Sequence, residues 1–299
     1  RPGNGLYNYN KSKDLSEGDR TGLSVLGQSN IRAPNEIIWN LNGSIIRSEI
    51  RSNPESDYKI ITDGDLYYLT KKLDNSFIFP INFPVQRNFN FKRTSYGNLA
   101  GEVVHVMGEN ALRIYPDMTC VMDKPGIKCS FCGTLPKRKD LTDSQIINEI
   151  KESLSYALED MPVDHIFMST GAFYNQRKID FYSEVISSIK STLTNPHAEI
   201  LFALTPPKSS NISRLEQLIK SGLTDLSFNL EAWDERLWDL NNLINIGAFK
   251  IKQGKQDHIE GYKMVTKILG PGSAKSNFVG GIENLEDFFE GVDFLLDLG

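Results

Sequence analysis

Three residues in this chain have the type and spacing to do chemistry. They are Cys120, Cys129 and Cys132, a C-x8-C-x2-C arrangement that uses every cysteine of the 299 residues. An odd, crowded set is not a disulfide framework, which small secreted domains build from even numbers of cysteines. Thiolates bind metals instead. One reading is a Cys3His zinc site with His105 or His165 as the fourth ligand. Zinc patterns usually show two closely spaced ligand pairs, however, and here only Cys129 and Cys132 form one. The other reading is an iron–sulfur cluster. A four-iron cube held by three thiolates leaves one iron without a protein ligand, open to a substrate or cofactor.

The elements that must position these cysteines are legible on both sides of them. Before them, residues 36–115 carry short β-rich runs joined by tight-turn dipeptides. Ile37, Ile38 and Trp39 face Ile45 and Ile46 across Asn42-Gly43, and residues 58–62 face 66–70 across Asp63-Gly64. A third pairing is expected between 103–107 and 111–115, and its second strand runs into Cys120. After Cys132, helical patterns alternate with short strand-like runs, the signature of βα units around a parallel sheet. Expected helices cover 142–158, opened by a Thr142-x-x-Gln145 capping box, 180–193, one capped by Ser213-x-x-Glu216, 258–269 and 284–298. Expected strands cover 165–169, 199–204, 225–230 and 275–279. With 111–115 this makes five βα units. The cysteine loop then follows the carboxyl end of the first strand, the side on which βα barrels assemble active sites.

Composition narrows the class. The chain is 39% hydrophobic and 24% charged, with a net charge of −5, the profile of a soluble globular protein with no general affinity for nucleic acid or anionic lipid. No run approaches the ~20 apolar residues of a spanning helix, so no membrane is expected. Reduced cysteines point to the cytoplasm. The expected domains are an extended arm or leader over 1–33, a β-rich N-terminal region over 34–110, and the βα series over 111–299.

The cysteine stretch, with Phe131 just before the last cysteine, resembles the radical S-adenosylmethionine (SAM) superfamily, as a variant of its commoner C-x3-C-x2-C spacing. The resemblance covers about 111–299. It implies a partial (β/α)6, TIM-like barrel, a [4Fe-4S] cluster on Cys120, Cys129 and Cys132, and SAM chelated at the open iron and cleaved reductively to a 5′-deoxyadenosyl radical. By the same resemblance Phe131 lies near the adenine. Ser169, Thr170 and Gly171 stand where the family's glycine-rich segment meets the SAM amino group, without its typical Gly-Gly-Glu. Ser227, Asn229 and Glu231 occupy the end of the fourth strand, where relatives place groups on the SAM ribose or amino acid part. Asn277 and Gly280 belong to a stretch, through Glu283, similar to the family's adenine-binding Gly-x-Ile-x-Gly-x-x-Glu region.

The implied activity is an oxygen-sensitive radical SAM enzyme acting on an organic small molecule, fed electrons by a flavodoxin- or ferredoxin-like donor. With all three thiols committed, no cysteine is left for an auxiliary cluster. A six-unit barrel calls for one more strand after the fifth helix, so the chain is expected to cover a longer protein incompletely. The competing class is a non-catalytic zinc or iron–sulfur module. Lys137-Arg138-Lys139 reads as a solvated loop, and Trp233 and Trp238 as either cavity lining or outer packing.

Overall fold

The computed structural model describes residues 7–8, 23–26, 31–34, 36–41, 43–49, 56–63, 66–82, 87–107, 109–117, 119–122, 127–130, 141–173, 176–206 and 212–299. The chain divides into two compact units, Arg1–His105 and Val106–Gly299.

In the first unit, β1 (Tyr7–Asn8), β2 (Leu23–Leu26) and β3 (Ile31–Pro34) form an antiparallel sheet in the order β1-β3-β2, within the segment for which the sequence offers no fold. The two expected hairpins follow. β4 (Glu36–Leu41) and β5 (Ser44–Glu49) close with Leu41 opposite Ser44. Gly43 takes φ +89°, the left-handed conformation that a two-residue hairpin turn needs. β6 (Tyr58–Asp63), β7 (Leu66–Lys71) and β8 (Phe77–Ile81) form a meander. Trp39 of β4 stacks on Phe79 of β8 with ring centroids 4.6 Å apart. A short helix, α1 (Ala100–Val103), lies near the end of this unit.

The second unit is mixed α/β around a sheet in the order β14-β13-β12-β11-β10-β9, where β9 is Val104–Val106, in which the division between units falls. β10 (Ala111–Ile114), β11 (His165–Ser169), β12 (Glu199–Ala203), β13 (Asp225–Ser227) and β14 (Ala274–Lys275) run parallel, each beside its predecessor in the chain. Between them lie α2 (Asp143–Asp160), α3 (Gln176–Thr192), α4 (Ile212–Lys220), α5 (Ala248–Gln253) and α6 (Lys255–Leu269), and α7 (Leu285–Asp297) follows β14. Right-handed crossovers between successive neighbours put the connecting helices on one face of the sheet.

Strand alternation identifies that face. Leu112, Ile114, Ile166, Met168, Ile200, Phe202, Leu226 and Phe228 are all buried. Tyr182 of α3 meets Phe202 edge-on at 5.0 Å, and Tyr262 of α6 meets Phe228 at 6.0 Å. Helix α2 turns Ile146, Ile147, Ile150 and Leu154 inward, and truncating one such fully buried leucine to alanine costs about 2–5 kcal/mol. Its capping box is formed, with Thr142 N donating to Gln145 Oε1 at 2.8 Å and Gln145 N to Thr142 Oγ1 at 3.3 Å.

Several boundaries differ from expectation: α3 begins at Gln176 and α6 at Lys255, each ahead of its expected start. Helix α4 starts at Ile212, so Ser213 sits inside the helix instead of capping it; local capping signals fix an end only to within a residue or two. Regular pairing in β13 stops at Ser227 and in β14 at Lys275, and the two chains meet again at a bridge between Glu231 and Phe278. Helix α5 was not signalled, because its six residues are too few to show a period.

Trp233 and Trp238 pack internally. Trp233 lies against Phe294 of α7 at 4.9 Å and Trp238 is edge-on to His258 of α6 at 5.4 Å.

Candidate functional site

Leaving β10, the chain is pinned before the first cysteine. Asp117 Oδ1 accepts from Thr119 N at 2.8 Å and Thr119 Oγ1 at 2.6 Å, its carboxylate pairs with Lys178 of α3, and its carbonyl accepts from Thr170 Oγ1 at 2.9 Å. Burial pushes the Lys178 ammonium below its usual pKa, yet Asp117 stands against it. The Thr170 hydroxyl also meets Tyr182, whose phenol is pushed up by burial. Thr170 therefore holds the root of the cysteine loop.

Two glycines set how closely other segments approach the cysteines. A Cβ on Gly171 would stand 2.6 Å from Cys120 Cβ, and the chain beside it is held by Val121 N donating to Ala172 O at 3.0 Å. Gly247, at φ +90°, leaves no room either: a Cβ there would stand 2.7 Å from Cys129 Sγ and 2.9 Å from Met122 Sδ. The segment before α5 is laced to the loop. Ala248 N donates to Ile127 O at 2.9 Å, Ser130 N to Asn245 O at 3.1 Å, and the Cys129 thiol to Ile246 O at 2.9 Å.

Cys120 and Cys129 thus share one cluster with Met122, Ala172 and Phe249 at the carboxyl ends of the strands, with no disulfide between them. Phe131, Cys132 and Lys137-Arg138-Lys139 lie outside the described residues. Among the described residues no three His, Cys, Asp or Glu side chains form a metal-holding group. Cys120 and Cys129, packed in one cluster, are soft sulfur donors of the type an iron–sulfur cluster takes as ligands. His165 does not join them. It is the first residue of β11, with Nδ1 3.0 Å from Glu199 Oε2, and Ser169 at the carboxyl end lies about 13 Å away along the strand.

Of the remaining expected site residues, Ser169, Ser227, Asn229, Glu231 and Asn277 gather at the carboxyl end of the sheet. Register places Ser169, Ala203, Ser227 and Lys275 side by side in one row. Above that row, Asn229 Oδ1 accepts from Ser227 Oγ at 2.7 Å and from Asn277 Nδ2 at 3.2 Å. Glu231 has φ +69°, a conformation that costs a non-glycine residue about 1–3 kcal/mol and that is held here by Glu231 N to Asn277 O at 3.0 Å and Val279 N to Glu231 O at 2.8 Å. The Glu231 carboxylate pairs with Lys250 of α5, each side chain only 12% exposed, and Lys250 Nζ also donates to Asn229 O at 3.3 Å. Ser227, Asn229, Glu231 and Asn277 therefore form one connected polar group. Gly280 stands apart, where a Cβ would meet nothing within 4 Å. Glu283 accepts from the backbone N–H groups of Trp233 at 2.7 Å and Asp234 at 2.9 Å, tying the chain after β14 to the chain after β13.

Sequence reasoning missed Asp117, Gly247 and Lys250. Asp117 had a local signal, an Asp two residues before Thr119 that forms an Asx turn. Gly247 and Lys250 had none, since each meets its partner across many residues of intervening chain.

Beside this geometry stand the comparisons with known proteins. The family model described as the Radical SAM superfamily matches residues 120–295, more than half the chain. No curated protein matches the chain.

Proposed function

Because the chain belongs to the radical SAM superfamily, we propose that it holds one [4Fe-4S] cluster on Cys120, Cys129 and Cys132 and cleaves SAM to start radical chemistry on an organic small molecule. When bound, cluster and SAM together supply the reductive cleavage and the hydrogen abstraction; the protein supplies orientation and exclusion of water. The observation that supports the reading is the packing of Cys120 and Cys129 into one cluster after the first parallel strand, with Gly247 against Cys129 Sγ.

The chain's own residues divide the work. Met122, Ala172 and Phe249 keep water from the thiols, and Gly171 and Gly247 let the two flanking segments close on the loop. Ser227, Asn229, Glu231 and Asn277 hold the ribose and the amino acid part of SAM, with Lys250 setting the Glu231 carboxylate in place. Ser169 belongs to the same row, Thr170 and Gly171 act through the cysteine loop, and Phe131 and Gly280 flank the adenine. The fold around them is a partial (β/α)6, TIM-like barrel over 111–299, preceded by the arm over 1–33 and the β-rich region over 34–110. Electrons come from an external flavodoxin- or ferredoxin-like donor, in the cytoplasm. Among the described residues no helix is long and apolar enough to cross a membrane.

Anaerobic reconstitution tests this directly. The protein should turn brown, contain iron and inorganic sulfide, and release 5′-deoxyadenosine with SAM and a strong reductant. Cys129→Ala should stop that release while the circular dichroism stays native. Colourless, sulfide-free protein that leaves SAM intact, or a Cys129→Ala variant that cleaves at the wild-type rate, would overturn the assignment.

A further inference from the structure

The sheet face that carries the polar group described above also carries charges, and among the described residues all but one are paired. Lys275 Nζ reaches Asp225 Oδ1 at 2.7 Å, and Lys250 pairs with Glu231. Arg113 is the exception. It lies on β10 between buried Leu112 and buried Ile114, so its side chain leaves the sheet on the opposite face to theirs. Register sets it in a row with Phe167, Leu201 and Asp225, two residues below the row of Ser169, Ala203, Ser227 and Lys275.

Its surroundings are built for a cation. The guanidinium carbon is 5.1 Å from the ring centre of Phe167 and 5.9 Å from that of Tyr115, so aromatic faces shield it. Nη1 donates to the Tyr115 hydroxyl at 3.1 Å. Nε is buried with no hydrogen-bond partner, and among the described residues no carboxylate pairs with the group. An arginine cannot shed its proton to escape this position. Among the described residues Tyr115 is the guanidinium's one hydrogen-bond acceptor, so N–H donors are left over, and paired N–H donors match an oxyanion with two acceptor oxygens.

We propose that Arg113 anchors an anionic group of the substrate, a carboxylate or phosphoryl oxyanion, with Phe167 and Tyr115 forming the walls beside it. Calling that anion a substrate rests on the radical SAM reading. The binding itself does not. An anchor two residues below the Ser169–Ser227 row would hold one end of the molecule on the face where the reacting centre is expected, fixing its orientation.

Calorimetric titration of the whole reconstituted chain, without SAM or reductant, tests the anchor with benzoate, neutral benzamide and phenylphosphonate as probes. Wild-type protein should bind an anionic probe about tenfold or more tighter than benzamide, as a charge-assisted hydrogen bond requires. Arg113→Met should bring benzoate to the benzamide level. Phenylphosphonate binding tighter than benzoate assigns the anion to a phosphoryl group, and the reverse to a carboxylate. Equal affinity for benzoate, phenylphosphonate and benzamide in the wild type, or unchanged anion affinity in a natively folded Arg113→Met, overturns the proposal. A second measurement avoids substitution: the preferred anion at saturation should shield the Arg113 peptide from phenylglyoxal, read by mass spectrometry, and equal modification with and without it also overturns the proposal. Failed SAM cleavage would leave these results standing, and failed anion binding would leave SAM cleavage standing.

Discussion

Gly247 stands so close to Cys129 that a single added carbon would lie 2.7 Å from the sulfur. Gly254 has the same φ of +90° with nothing within 4 Å of its would-be Cβ. The pair separates steric contact from backbone strain. Gly254→Ala should lose about 1–2 kcal/mol in urea unfolding from the left-handed conformation alone, and its reconstituted iron content should match the wild type. Gly247→Ala should lose more stability and also bind less iron, because the loop carrying Cys129 must shift. Equal iron content in the two variants would mean that the close approach at Gly247 does not shape the metal pocket.

The Glu231–Lys250 pair is nearly excluded from water, so removing one partner strands the other charge. Glu231→Gln should destabilise the protein by about 3 kcal/mol, the low end for a broken buried pair, and Glu231→Gln with Lys250→Met should recover much of the loss. SAM affinity should not recover in the double variant, because the carboxylate proposed to hold the cofactor is still missing. Calorimetric unfolding and SAM titration on the same samples separate the two effects.

At Gly280 the test runs the other way. A Cβ there meets no protein atom, so Gly280→Ala should leave stability within about 0.5 kcal/mol of the wild type. A several-fold weaker SAM affinity in that variant would then report direct contact with the cofactor. Wild-type affinity would remove Gly280 from the binding group.

His258 supplies a pH dependence. Burial first, then the neighbouring Lys250 charge, pushes its imidazole down to about 3, while its Nδ1 lies 3.2 Å from Gly254 O. The unfolded chain takes up this proton near pH 6.5, and the folded chain refuses it until about pH 3. The stabilisation is therefore complete above about pH 6.5 and declines as pH falls toward 3, by up to about 1.4 kcal/mol per pH unit. Urea midpoints between pH 7 and pH 5 should fall less steeply in His258→Phe than in the wild type.

Much of the molecule is readable from local patterns. Asn42-Gly43 and Asp63-Gly64 mark hairpins because two-residue turns demand backbone angles that few residues tolerate. The helix and strand periods after Cys132 predict the parallel series because each element must bury one face, and strand 165–169 is found at those limits. Strands 225–230 and 275–279 are shorter than expected, regular pairing ending at Ser227 and Lys275, with Glu231 beyond in a left-handed conformation.

From the sequence alone, the types and spacing of the cysteines, the alternation of elements and the residues at the strand ends could be determined, because each is a property of neighbouring positions. Only the tertiary structure decided that Gly247 closes on Cys129, that Lys250 meets Glu231, and that Arg113 shares a face with Ser227 with no carboxylate partner among the described residues. Those relations join residues far apart in the chain. They are set by strand register and by the path of the segment between Glu231 and α6, which carries no period of its own.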